Sequence, residues 1–439
     1  MPLRLSGSTG VSGIDGTAQA PAVQGTNPNA GIYYSGNNVI VSTSGNTALT
    51  VGPSGNVAIS NSFSISGQFV TPYSGMMKNR IINGDMRIDQ RFAGAANTGV
   101  TGTNQYVTDR WLCRTMIAGR TRFQQNNTNG PGQSATQIAT GFSNYFGANV
   151  VSSNTSYSAG DQYYILQCIE GSNIQDLNWG SSVASPATLS FWVYSSIAGT
   201  HAGCFTNANA NRSYPFTYTI NTANTWQYQT ITVPGDTTGS WFSNNGIGMY
   251  VIYNLGTGTT HRSSSGNSWQ SSFYMSVTNA VNVQDSANGS FYLTGVQLEK
   301  GSQATAFDFR HFTTELQLCQ RYYQKTYEIG TIPGSVTSTS YFVGTTIMES
   351  STTSWGAMHR FPVEMRATPT NTPYKTDGTA GRLDYFTSGT GANSGIVTAF
   401  GASTKAIGYY HAGTASGTSG NAVVISGHIV SSAELAAQN

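Results

Sequence analysis

Charge is the scarcest property of this chain. Lys and Arg number 20 and Asp and Glu 18 among 439 residues, 9% in all, against about 25% in an average globular domain. Few acids and bases are therefore on hand for catalysis, and solubility rests on Ser, Thr, Asn, Gln and Gly. The net charge is +2, with no basic run. A nucleic-acid partner needs a clustered positive stripe that releases counterions, so none is expected. No apolar stretch approaches the ~20 residues that span a bilayer, so membrane insertion is not expected either. The opening Met1-Pro2-Leu3-Arg4-Leu5 lacks the apolar centre of an export signal.

Cysteine is also sparse: Cys113, Cys168, Cys204 and Cys319, with no CxxC pair. That spacing argues against a zinc site and reads as buried free thiols. The six histidines are scattered, and HExxH, GxSxG and P-loop patterns are missing. The chain reads as a non-enzyme. The alternative is a glycan hydrolase, which needs two carboxylates at a set distance. Asp161, Glu170, Asp176 and Asp285 are candidates only because acids are few. No cofactor is expected.

What is present is β texture: 51 Gly and 24 Tyr with 38% hydrophobic residues. Near the N-terminus three Ser-Gly-Asn units, at Ser35, Ser44 and Ser54, each precede a short apolar run: Val39–Val41, Ala48–Val51 and Val57–Ile59. Gly and Asn suit tight turns, and Val, Ile and Thr suit strands. Such a ladder is too short and too weakly apolar for a core of its own. Stacking with copies of itself is one reading, and a loose Gly/Ser linker is the other.

From Lys78 charges come in bursts. One runs from Lys78 to Arg122 and a second from Glu299 to Glu328, together half of all charged residues. Ion pairing between them would bring the start and end of one domain side by side; two solvated faces are the alternative. Between the bursts, strand-like runs such as Tyr163–Ile169, Ala187–Tyr194, Phe216–Ile220, Tyr228–Val233, Ile247–Tyr253 and Ser290–Leu298 are bounded by turn clusters, which argues for a β-sandwich. Thr314 and Gln317 fit a capping box. Phe312, Leu316, Cys319 and Tyr323 recur at helical spacing, and Gly330 can end that helix. Strand patterns then return to the C-terminus.

Four segments together resemble a family of bacteriophage tail-fibre and virion-associated adhesin proteins. They are Lys78–Arg91 (KNRIINGDMRIDQR) with Thr108–Trp111, Gly295–Gly301 with Ala304–Phe307, Glu315–Tyr323, and Phe361–Pro369 with Ile425–Gly427. The resemblance implies a central jelly roll similar to carbohydrate-binding modules, in a trimeric virion fibre that contacts the host surface. The expected architecture is all-β. Residues 1–30 form an extended attachment segment, 31–75 a trimeric β stalk, and 76–310 the jelly roll. Residues 311–330 form a connecting helix and 331–439 a C-terminal β-sandwich tip. The expected function is a tail fibre that adheres to a host receptor, a surface glycan or outer-membrane component. It would be assembled in the host cytoplasm and carried on the virion tail, and the N-terminus would join the tail, baseplate or another virion protein. A depolymerase tailspike and a purely structural head fibre or tail-closure protein are the alternatives. Jelly rolls of this type sometimes hold a structural calcium ion through oxygen ligands; no ligands are assigned.

Sugar binding uses exposed aromatic faces beside polar groups. Trp179, Trp241 and Trp269 stand in polar, loop-like contexts, as sugar platforms or as covers of the sandwich end. Tyr385, Tyr409 and Tyr410 lie near Gly/Ser-rich stretches, 376–395 and 412–421, that read as tip loops. Trp192 and Trp226 read as core, Trp111 as a structural anchor, and Trp355 is ambiguous.

Overall fold

The computed structural model describes residues 4–6, 10–12, 15–55, 57–59, 77–99, 104–126, 141–347, 356–387, 393–411, 419–420 and 422–435. The segment 60–76, Trp355 and the tip-loop residues 388–392, 412–418 and 421 lie outside them. The chain divides into two compact units, Met1–Thr71 and Pro72–Asn439.

In the first unit a hairpin, β1 (Arg4–Ser6) and β2 (Gly10–Ser12), precedes a five-stranded antiparallel meander. Its strands are β3 (Val23–Gln24), β4 (Gly31–Ser35), β5 (Asn38–Thr43), β6 (Asn46–Val51) and β7 (Val57–Ile59). The Ser-Gly-Asn units are its turns: Gly36, Gly45 and Gly55 have φ of +57°, +75° and +78°, the left-handed region that a side chain disfavours. Among the described residues of this unit, only Tyr33 and Ile40 are large apolar side chains that are buried. The register places Val23, Ile32, Tyr34, Val39, Val41, Leu49, Val51, Val57 and Ile59 on the opposite face. None of the nine is buried, and Val23 and Val57 are more than half exposed.

The second unit opens with an antiparallel sandwich. Its strands begin with β8 (Gln105–Tyr106), β9 (Trp111–Arg114), β10 (Thr121–Gln125), β11 (Phe146–Val150), β12 (Gln162–Glu170) and β13 (Ala187–Ser195). They continue with β14 (Gly199–Asn207), β15 (Ser213–Ile220), β16 (Gln227–Val233) and β17 (Ile247–Thr257). A short parallel pair, β18 (Arg262–Ser263) and β19 (Ser276–Val277), precedes β20 (Ser290–Lys300). One sheet has the order β10-β11-β20-β13-β16, the other β15-β14-β17-β12-β9-β8.

The run Tyr163–Ile169 is apolar on both faces because both are covered. Tyr163, Ile165 and Ile169 face the sandwich core. Tyr164, Leu166 and Cys168 face a second cluster with Cys319 of helix α1 (Phe312–Gln320) and Leu435. All four cysteines are free and buried, and burial pushes the Cys168 thiol up to about 12. Trp111 is fully buried and its indole N–H donates to Asn83 O, 2.9 Å.

Helix α1 is shorter than its apolar spacing predicts. His311 precedes it without a side-chain cap, and Tyr323 belongs to strand β21 (Tyr323–Lys325), which pairs with the last strand. Sheet pairing here outweighs helical periodicity. The two charge bursts do meet, but through backbone groups rather than ion pairs. Asn83 N–H donates to Glu315, and the Arg310 guanidinium to the carbonyls of Asn79 and Ile81. The carboxylate partner of Arg80 is Asp176, and that of both Arg91 and Arg110 is Glu434.

The remaining strands are β22 (Phe342–Ile347), β23 (Ala357–Arg360), β24 (Thr370–Tyr374), β25 (Arg382–Thr387), β26 (Asn393–Phe400), β27 (Ala406–His411) and β28 (Ala422–Ser432). They form an eight-stranded sheet with β21. β28 pairs with β22 and β25 in its first half and with β21 and β24 in its second.

Candidate functional site

The three loop tryptophans come from remote segments and meet at one end of the sandwich. Trp179 follows a short helical turn closed by Asn178 at φ +55°. Trp241 lies between β16 and β17, and Trp269 between β18 and β19. Their ring centroids are 4.8, 5.3 and 5.6 Å apart, all edge to face. Each indole N–H donates within the protein: Trp179 to Ser185 O (2.7 Å), Trp241 to Asp236 Oδ2 (2.9 Å) and Trp269 to Pro234 O (2.9 Å). Trp179 is buried, and Trp241 and Trp269 are half-buried against the core. This is the geometry of a cover over the sandwich end.

Beneath the rings, Asp236 is fully buried. It accepts from Arg212 Nε and Nη2 (3.0 and 2.6 Å), Gly239 N (2.8 Å) and Trp241. Burial pushes its carboxyl up, but the hydrogen bonds from Arg212 and then Trp241 outweigh this and hold it below the usual carboxylate range.

In the C-terminal sheet, Tyr385 and Tyr409 are buried in its core, which removes them as exposed sugar platforms. β25 and β27 alternate their side chains, and these two fall on the inward face. Tyr410, the next residue along β27, is half-buried, 6.0 Å from the Phe400 ring.

The reading of Trp192 as core is corrected, whereas Trp226 packs against the buried cluster of Tyr145, Tyr194 and Tyr292. Along β13, Ala187, Leu189, Phe191 and Val193 face the core, so Thr188, Ser190, Trp192 and Tyr194 point to the outer face of the five-stranded sheet. There Trp192 lies opposite Tyr228 of β16, with rings 5.4 Å apart and tilted by 50°. Tyr228 is 45% exposed, and the exposed Thr230 and Thr232 continue its row along the edge strand. No charged residue stands on this face of β13 or β16.

Beside the pair, Tyr194 stacks on Tyr292 at 5.0 Å, and Tyr145 and Trp226 complete a second aromatic cluster. Gly147 makes room for it, since a Cβ there would stand 2.8 Å from the Tyr292 ring. Asn149 Nδ2 donates to Tyr292 OH (2.8 Å) and Ser290 Oγ (2.9 Å), and Tyr194 OH donates to Asn224 Oδ1 (3.0 Å). An aromatic pair beside hydroxyls, on two strands that carry no charge on this face, can stack on the C–H face of a pyranose and bond its hydroxyls.

The four scarce acids have structural partners instead. Glu170 pairs with Arg321 and Tyr322, Asp176 with Arg80, and Asp285 with Tyr157, while Asp161 accepts from Ser158 N. Among the described residues no group of three or more His, Cys, Asp or Glu side chains converges as a metal site.

No protein-family model matches this chain, and neither does any curated protein. Solved structures show partial likeness. The enzymatically active domain of tailspike protein 4 of bacteriophage CBA120 is 12% identical over 51% of this chain, with a TM-score of 0.27. The chain spans only 21% of that protein's length. A sugar-binding protein from Bacteroides thetaiotaomicron is 14% identical over 51% of this chain and 99% of its own length, with a TM-score of 0.27. A tandem of carbohydrate-binding modules from Paenibacillus barcinonensis is 8% identical over 78% of this chain and 98% of its own, with a TM-score of 0.23. At such identities and TM-scores, none of them carries a statement about this chain's ligand or activity.

Proposed function

We propose that this chain is a homotrimeric adhesin of a bacteriophage tail, which binds host surface glycan on the outer face of its five-stranded sheet. The observation that carries the glycan reading is the Trp192–Tyr228 pair: Trp192 is half-buried on β13, and Tyr228 is 45% exposed on the edge strand β16 beside Thr230 and Thr232. The virion assignment rests on the four sequence segments that resemble tail-fibre adhesins. Weak single sites gain avidity when one fibre presents several copies.

Tyr228→Ala tests the site with little risk to the fold, because the ring is exposed. With extracted host surface glycan as ligand, Tyr228→Ala and Trp192→Ala each lower affinity at least tenfold, about 1.4 kcal/mol. Unchanged binding of the glycan by both variants would rule out this face. Labelling the protein on intact particles tests its place on the tail.

The partner of the first unit is a further copy of the same chain. Among the described residues, nine apolar side chains share one sheet face and none of them is buried, while two on the other face are. A patch of that kind on an otherwise polar chain is an interaction surface. An identical neighbour offers an identical apolar face in closed symmetry. The resemblance to trimeric fibres sets the number of copies, so the native mass is expected at three times 46.5 kDa. Val39→Asp with Val57→Asp returns it to one chain. A native mass that ignores the two aspartates refutes this interface.

A further inference from the structure

The eight-stranded sheet is interrupted at one place. β21 leaves β28 after Lys325, opposite Val430, and β22 joins β28 at Phe342, opposite Gly427. Thr326 N–H donates to Ile429 O (3.0 Å) to close the first ladder. The chain then loops out and returns through Ser340, whose hydroxyl donates to Glu328 and whose φ is +59°. Because the intervening residues leave the sheet, a pocket of about 300 Å³ remains, at the small end of ligand cavities.

Its walls have three kinds of chemistry. Tyr341, Phe342 and Pro362 supply flat apolar surface, and Tyr341 is 41% exposed at the rim. His359 lies edge to face with Phe342 at 5.5 Å, and burial pushes its pKa down. A neutral imidazole offers one donor and one acceptor. Gln324 supplies the third. It is 3% exposed, its Nε2 donates to Val363 O (3.1 Å), and its Oε1 is buried without a partner. An orphaned buried acceptor is costly, and an incoming hydroxyl or amide N–H would satisfy it.

We propose that this pocket binds a single pyranose ring, stacked on Tyr341 and donating a hydrogen bond to Gln324 Oε1. The pocket is too small for an extended chain; Lys325 also lines it, but its ammonium donates to the carbonyls of Ile329 and Thr331, and the uncharged acceptor and imidazole suit a neutral sugar. The inference is independent of the sheet-face reading, since the two sites share no residue.

The test is saturation-transfer NMR and calorimetry on the full-length protein with glucose, galactose and N-acetylglucosamine as probes. At least one sugar binds. Tyr341→Ala, a rim substitution, weakens that binding at least tenfold, and Gln324→Met does the same at nearly unchanged side-chain volume. Val183→Ala, at a 70% exposed position that belongs to neither site, leaves it unchanged. The proposal fails if none of the three sugars binds, or if binding survives Tyr341→Ala. It also fails if binding is lost only with Tyr228→Ala, a result that would favour the sheet face.

Discussion

Glu434→Ala lowers the unfolding free energy by about 3–5 kcal/mol, the range for leaving buried charge without its partner. Glu434 lies two residues beyond β28 and bridges Arg91 and Arg110. Arg110 is 1% exposed. Its guanidinium lies 3.5 Å from the Tyr322 ring centroid and donates to Cys168 O (2.7 Å). Arg91 lies 3.7 Å from the centroid of Tyr323. Burial works most strongly against both positive charges, yet Glu434, together with Asp109 and Tyr323 for Arg91 and with Tyr106 and Tyr322 for Arg110, outweighs it and raises both pKa values. Without Glu434, two guanidinium groups are held in place by tyrosine faces and carbonyls alone. The exposed pair Lys405–Glu364 is the control; breaking it changes stability by less than about 1 kcal/mol. Chemical denaturation of the two variants side by side provides the measurement. A Glu434→Ala loss no larger than the control's would mean that the bridge contributes nothing.

Asp236→Ala has an effect of similar size beneath the three indoles. It removes the acceptor for four donor groups, from Arg212, Gly239 and Trp241, and leaves the Arg212 charge unpaired beneath the three indoles. About 3–5 kcal/mol is expected at pH 7, with the change in tryptophan fluorescence coming at lower denaturant. The pH dependence has a definite sign. The folded pKa lies below the unfolded value of about 3.9. The contribution is therefore fully present above that value and is lost as pH falls through the folded one. The gap between wild type and Asp236→Ala narrows below about pH 4. A gap that stays constant from pH 7 to pH 3 contradicts the ionised carboxylate as its source.

Much of the fold was legible in residue order. Ser-Gly-Asn units read as turns because Gly tolerates the conformation those turns adopt, and Gly36, Gly45 and Gly55 adopt it. The run of Ala187 to Tyr194 read as a strand because β-branched and aromatic residues suit one. The cysteines read as buried thiols, and they are. The helix was legible in place but not in extent, since a local period cannot see that Tyr323–Lys325 will be claimed by β28.

The candidate site was less legible. Polar neighbours left Trp179, Trp241 and Trp269 open between sugar platforms and covers of the sandwich end, and closure of the sandwich turns them onto one another as a cover. Trp192 looked buried because it stands in an apolar run. Strict alternation through Leu189, Phe191 and Val193 was the available signal, and it places Trp192 on the outer face. The orphaned Gln324 Oε1 had no sequence signal, because its environment comes from segments around residues 341, 359 and 430.

Residue order by itself determined the all-β class, the turn positions, the lack of a clustered charge and the thiol state, since each depends on local conformation or composition. Only the tertiary structure decided which aromatic rings meet solvent, which carboxylate serves Arg110, and where a sheet opens into a pocket. Those outcomes follow from the register of strands far apart in sequence, and a shift of one residue in register would exchange the inward and outward faces.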